Sequence, residues 1–383
     1  MNILFICFEQ FPEGSASSQR ILGYTKALIK LKKKTYILAI SKQKRSDFCS
    51  NISEYEGTII DNTCIKKGKL DLVSFNKKLK ELSTVFSYVH LYGITGSRLI
   101  KYIQVIRRIT AYNYKIIHEQ TEYPFLRREK ENILIYKIYM HIYRIYILSH
   151  IDYVIVISKQ LEKHFRQIYS GKIFIVNMFV DITRFENINK KNPLMFPYIA
   201  YVGSMYGDKD GVYNLIKAFG KVSDEFPNYK LVLIGSNSNK KKMKKINEAI
   251  SRKFFNKIIF TGYLGRDEVP HFLVNSSLLA LTRPMNKQAE YGFPTKLGEY
   301  LATRKPVLVT NVGDIPFFVK DNYDVFMADA NNIDEMANKI KTALSNKNKS
   351  VLIGNNGWNT ANKYFNNVKE TEKLLQFIGQ KRK

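Results

Sequence analysis

The stretch GFPTKLGEYLATRKPVLVT, residues 292–310, carries the fold in miniature. Gly292 and Pro294 close one segment, an apolar-periodic run follows, and Pro306 launches the β-branched run VLVT. A helix feeding a strand without polar alternation is what a parallel sheet covered on both faces requires. The first helical turn reads Lys-Leu-Gly-Glu. With Thr295 as a cap, Glu299 near the positive end of the helix dipole is ordinary helix chemistry. Lys296 is not, because that dipole disfavours a cation, and Gly292 and Gly298 invite close backbone approach. An anion at this helix start would make the lysine favourable.

The same rhythm runs outward in both directions. ILFICF (3–8), TYILAI (35–40), VFSYVHLY (85–92), YKIIHE (114–119), YVIVIS (153–158) and KIFIVNM (172–178) are short apolar runs separated by helix-length segments. NKKNPLMFPYIA (189–200) breaks the pattern with two prolines, and the pattern restarts with YIAYVG, KLVLIGS, KIIFTG, LLALTRP and VLVT. The expected fold class is therefore α/β, with two doubly wound parallel-sheet (Rossmann-like) domains. The boundaries read as 1–188 for the first domain, 189–197 for a linker and 198–354 for the second. Residues 355–383 form a helical tail packing back on the first domain. Such sheets bind ligands at the carboxyl ends of their strands, so a substrate between the two domains is the expected geometry.

Composition narrows the classes. A chain of 383 residues with 45% hydrophobic and 13% aromatic content fills two cores and excludes a disordered or fibrous protein. Three cysteines without a C-x-x-C pair argue against a disulfide scaffold or a thiolate zinc site. The opening run MNILFICFEQF is a poor signal peptide and a good first strand, and no stretch is apolar enough to span a membrane. The expected location is cytoplasmic, peripheral at the inner face of the cell membrane. A net charge of +28 attracts polyanions: nucleic acid, anionic lipid or phosphorylated substrates. The richness in Ile, Asn and Tyr fits an AT-rich genome that inflates Lys as well, so charge alone decides nothing.

In YVGSMYGDKDGVYNLIKAF (201–219) a strand ends at Gly203 and a helix starts near Gly211, with Lys209 between. Free amides at a helix start beside a lysine suit a phosphate, although an ordinary strand-to-helix turn reads the same way. Asp208 and Asp210 imitate a D-x-D metal pair, but Asp210 reads better as a helix N-cap, and no metal is expected.

These segments resemble the retaining GT-B glycosyltransferases of family 4, the group 1 transferases. The likeness runs in the family's order through residues 201–219, KLVLIGS, IIFTGYLGRDEVPHFLVNSSLLAL, GFPTKLGEYLATRKPVLVT and IPFFVKDNYDVFMADANN. FPEGSASSQRILGYTKAL, IIHEQTEYPF, YVIVISKQLEKHF and VNMFVDITRF extend it more loosely through the first half. The resemblance implies a nucleotide-diphosphate sugar as donor, held mainly by the second domain, and no cofactor. Glu299 matches the second acid of the family's E-x7-E motif, which holds the ribose. Tyr291 stands where the first acid falls, and Glu290 lies one position off. Lys209 matches the basic residue on the pyrophosphate. Ser204 replaces an arginine common after Gly203, leaving Arg283 and Lys296 as candidates for the second phosphate cation. The backbone at Gly292, Phe293 and Leu297 would cradle the donor. His118 matches a histidine near the reacting centre, with Lys209 and Glu290 as its catalytic companions. Gly14 and Ser15 match a small-residue loop after the first strand, while Glu119, Glu122 and Arg20 fall on the acceptor side.

The expected partners are a nucleotide sugar donor, a saccharide or lipid-linked acceptor and an anionic membrane surface, with no specific nucleic acid. ILIYKIYMHIYRIYILSH (133–150) sets Lys137, His141 and Arg144 on one helical stripe among Ile and Tyr. That pattern fits an interfacial helix or a helix buried against the first sheet. The implied setting is cell-surface polysaccharide or glycolipid synthesis, with retention and without metal. Alternatives are a sugar-nucleotide epimerase or a phosphorylase of the same fold. A basic nucleic-acid- or membrane-binding protein without catalysis is the rival of another class, although no nucleic-acid-binding signature accompanies the charge.

Overall fold

A computed structural model describes residues 1–12, 16–40, 51–92, 98–122, 133–189, 191–205, 210–236, 240–251 and 253–380. Contacts divide the chain into two units, Met1–Phe179 with Asn367–Lys383, and Val180–Asn366.

The first unit is built on a sheet of eight strands: β1 (Ile3–Cys7), β2 (Thr35–Ala39), β3 (Ile52–Tyr55), β4 (Thr58–Asp61), β7 (Tyr88–Tyr92), β8 (Lys115–Gln120), β9 (Tyr153–Val156) and β10 (Lys172–Ile175). Two two-residue strands, β5 (Ile65–Lys66) and β6 (Lys69–Leu70), pair with each other apart from it. The order is β10-β9-β8-β7-β1-β2-β4-β3, parallel throughout except for β3, which runs antiparallel to β4. The apolar runs named from sequence all appear as strands. The β3–β4 edge does not announce itself, because ISEY alternates exposed and half-buried residues around an exposed turn at Glu56 and Gly57.

The second unit is a six-stranded, wholly parallel sheet of β11 (Tyr198–Val202), β12 (Lys230–Ile234), β13 (Ile258–Gly262), β14 (Leu278–Leu281), β15 (Val307–Thr310) and β16 (Phe326–Ala328). Its order, β13-β12-β11-β14-β15-β16, reverses direction between β11 and β14. Loops leaving those two strands diverge there and open a crevice at their carboxyl ends. Gly203, Asp210 and Arg283 all lie on these loops.

The tail departs from the sequence expectation. The helix Lys347–Tyr364 belongs to the second unit, and only Asn367–Gly379 joins the first. Glycines explain the difference: a Cβ at Gly354 would lie 2.3 Å from the Arg304 carbonyl oxygen, and one at Gly357 2.8 Å from Leu301. Backbone approach this close locks that helix onto its own unit. The last helix instead buries Leu374, Leu375 and Ile378 in the first core and stacks Phe377 on Phe174.

The segment 133–150 also departs from the buried-helix alternative. The helix Ile133–Ile142 has no buried residue, and Ile133, Leu134, Ile135 and Ile138 are each about half exposed. A π-helical turn, Tyr143–Ile147, follows and rotates Tyr143 and Ile147 into the core.

Candidate functional site

The site grows from the last residue of β11. The amide of Val202 donates to the Tyr300 hydroxyl at 2.8 Å, which anchors the helix Thr295–Ala302 against that strand. Lys296 is thereby laid across Gly203. A Cβ on Gly203, whose φ is +142, would sit 2.3 Å from the lysine Nζ, so glycine is needed both for the turn and for the approach. The Lys296 ammonium pairs with Asp210 Oδ2. Arg283, at the end of β14 and nearly inaccessible, brings its Nε within 4.0 Å of Asp210 Oδ1. The Tyr201 hydroxyl lies 3.1 Å from Oδ2. Two cations thus face one carboxylate at the reversal point. Burial pushes the Asp210 carboxyl up, but Lys296, its hydrogen bond and Arg283 outweigh burial and hold it below the usual carboxylate range.

Asp210 therefore corrects the cap assignment: the N-cap of the following helix is Gly211, left-handed at φ 69, and Asp210 is an ion-pair partner. Pro294, not Thr295, stands at the cap of the helix Thr295–Ala302. The negative charge that makes Lys296 tolerable at a helix start is, in this structure, Asp210.

Glu299 lies one turn beyond Lys296, with its side chain partly exposed, and accepts from Arg184 Nη1 at 3.1 Å. Arg184 comes from the turn Ile182–Phe185 and also donates to the Arg266 carbonyl at 3.2 Å. In the sequence nothing in the ITRF segment singles out Arg184, because its partner is 115 residues away. Glu290 sits half-buried on the helix Lys287–Tyr291, next to Gly292, which packs on the Gln288 carbonyl. Phe293 is buried among Phe318 and Phe365, and Leu297 is wholly buried, so only their main-chain groups remain for a ligand. Ser204 is exposed at the mouth of the β11 loop. Lys209, Asp208, Gly14 and Ser15 lie outside the described residues.

Three of the first-unit candidates, Arg20, His118 and Glu119, turn inward. Arg20 is buried and donates to Glu119 Oε1 at 2.6 Å and to the carbonyls of Val176 and Asn177, each at 2.6 Å. His90 Nε2 lies 2.9 Å from Glu119 Oε2. Against burial, Arg20 and His90 hold the Glu119 carboxyl low. Arg20 and Glu119, each expected on the acceptor side, here form a buried brace between β8 and the segment after β10. Glu122 is exposed.

His118 is wholly buried on β8, with Nε2 2.9 Å from the Tyr143 hydroxyl, and shows no edge to solvent. Burial, reinforced by His90, pushes its pKa down to about 3 from 6.5. The unfolded chain takes up this proton near 6.5 and the native chain only near 3, so stability is lost as pH falls through that window and rises with pH across it. A single such group gives a slope of about 1.4 kcal/mol per pH unit. Urea titrations between pH 4 and 6 should show His118→Gln with a flatter pH dependence than wild type by about that slope. Parallel profiles would mean that His118 titrates in the native chain.

Among the described residues, no group of three or more His, Cys, Asp or Glu is placed to hold a metal ion. No helix of the described residues is long and apolar enough to cross a membrane.

Residues 183–360, nearly all of the second unit, match the family model described as glycosyl transferases group 1. An uncharacterized glycosyltransferase of Methanocaldococcus jannaschii is 26% identical over 222 residues, which span 57% of this chain and 57% of that protein. Over the whole length the fold is similar to that of sucrose-phosphate synthase from Thermosynechococcus elongatus, with a TM-score of 0.72, 12% identity and coverage of 99% of this chain and 98% of that one. It is equally similar to Anabaena HepE, solved with UDP and glucose, with a TM-score of 0.72 and 15% identity over 100% of both chains. At such identities the likeness speaks for the fold alone. The fold is GT-B, with two Rossmann-like units.

Proposed function

We propose that this chain, which carries a glycosyltransferase domain over residues 183–360, transfers a sugar from a nucleotide-diphosphate donor to a saccharide or lipid-linked acceptor. The observation that carries the reading is the convergence of Lys296, laid over Gly203, and Arg283 on Asp210 at the reversal point of the second sheet. The resemblance leaves a phosphate cation missing at Ser204, and the Lys296 ammonium lies one residue away. When the glycosidic bond breaks, two negative charges develop on the departing diphosphate. Fixed cations and loop amides stabilise that charge more than they stabilise the ground state. Lys209, from the same loop, would join them. Glu299 would accept from the ribose hydroxyls, with Arg184 yielding its hold on the carboxylate.

The carboxylate of this cluster, Asp210, is engaged by Lys296 and Arg283, which fits family-4 retention by attack on the leaving group's own face. A donor phosphate oxygen then takes the acceptor proton. In this reading the chain works without a metal ion, in cell-surface polysaccharide or glycolipid synthesis. HepE has been solved with UDP-glucose, so uridine donors are the first to try. Incubation with UDP-, GDP- and ADP-sugars should release nucleoside diphosphate only when acceptor is added. Release or conversion without acceptor would favour an epimerase, a requirement for free phosphate a phosphorylase, and inertness toward all three would remove the donor reading.

The exposed helix Ile133–Ile142 supports an acceptor presented by an anionic membrane. Its isoleucines and leucine lie open beside Lys137 and His141, the arrangement of a helix that sinks into headgroups. Anionic liposomes at physiological salt should sediment the chain, and Ile135→Asp with Ile138→Asp should weaken that binding tenfold or more. Full recovery of wild-type chain in the supernatant would remove the membrane from the proposal.

A further inference from the structure

A cavity of about 810 Å³ opens at the amino-terminal edge of the second sheet, where Ser277 and Pro306 lead into β14 and β15. Lys296 lies toward the opposite edge. Eight residues separate it from Arg304, roughly 12 Å at 1.5 Å per helical residue. The volume suits a small-molecule ligand, and nothing in the donor reading uses it.

The walls combine three chemistries. Val274, Ala302 and Leu344 supply an apolar floor, and Ser277 and Asn355 add hydroxyl and amide groups. Arg304, Lys305 and Lys347 stand against one acid, Glu186. The Arg304 guanidinium carbon lies 3.8 Å from the centroid of the Trp358 ring. Stacking fixes the plane of the fork and leaves its N–H edge for an anion. The backbone at Arg304, the residue after the helix C-cap Thr303, is left-handed, φ 62, which ends the helix and turns the side chain out of its line. Gly354 clamps it, since any Cβ there would strike the Arg304 carbonyl. Asn187, also in the lining, is left-handed too, φ 57.

We propose that this cavity binds an anionic saccharide. The sugar ring lies on the apolar floor, its hydroxyls meet Ser277 and Asn355, and its phosphate or carboxylate takes the Arg304 fork with Lys347 beside it.

Trp358 is the chain's single tryptophan, so its fluorescence reports on this cavity and not on the donor site. The full chain should be titrated with glucose 6-phosphate, glucuronate, glucose and inorganic phosphate. The expected result is a saturable change with both anionic sugars, with affinity at least tenfold weaker for glucose and for phosphate alone. Arg304→Gln should abolish the response, Lys347→Gln should weaken it about tenfold, and Lys296→Gln should leave it intact. Arg304 and Lys347 are both exposed, so one variant serves if the other misfolds. An absent response, an equal response to glucose, or a full response in both cavity variants overturns the proposal. None of these outcomes bears on donor turnover.

Discussion

Asp210→Ala is expected to lower the stability of the ligand-free chain by about 3 kcal/mol, because breaking a buried ion pair strands the remaining charge. In thermal denaturation of a unit this size, that is a fall of roughly 6–12 °C. The cost is large because Arg283 is almost fully buried and Lys296 mostly so, and Asp210 is the carboxylate both of them face. Inorganic pyrophosphate should then stabilise the variant more than it stabilises wild type, since the anion replaces the lost carboxylate and no longer has to compete with it. A variant that loses stability yet gains nothing from pyrophosphate would make the cluster a structural ion pair and leave the donor phosphates without these cations. Acid acts in the same direction. The stability owed to Asp210 is present above the ordinary carboxylate pKa and is lost as pH falls through its depressed native value.

Much of this was legible in the sequence, for reasons that differ by residue. The runs ILFICF and VLVT read as strands because a sheet covered on both faces leaves no room for polar alternation. Lys296 stood out because a cation contradicts a helix start, and the anomaly did locate a charge cluster. The partner was misread: Asp210 is 86 residues away, and a carboxylate just before a helix looks like a cap until its neighbour in space is known. Arg184 was silent for the same reason. His118, Arg20 and Glu119 show the converse, since the structure buries all three. Titratable residues at a strand end and a helix start invite a functional reading, and sequence carries no sign that Arg20 spends its donors on Val176, Asn177 and Glu119. Local propensity and periodicity are written in neighbouring residues; ion pairs across a hundred residues are not.

Glu299→Gln is expected to lower kcat/KM for the nucleotide sugar by roughly 10- to 150-fold, the equivalent of about 1.5–3 kcal/mol for a hydrogen bond to a charged acceptor. Most of the loss should appear in KM, because ribose is held alike in the ground state and the transition state. The control is Arg184→Ala. Its pair with Glu299 is partly open to water, with side chains 19% and 31% exposed, and a pair of that kind contributes at most about 1 kcal/mol. Losing Arg184 should therefore cost no more than about fivefold in kcat/KM, through looser positioning of the carboxylate, with little change in stability. Donor titrations of the two variants separate the roles. If Glu299 binds the donor, its variant falls far below that of Arg184. If the two variants fall together and by the same small factor, Glu299 serves only to hold Arg184, and the ribose must be sought elsewhere on the crevice between β11 and β14.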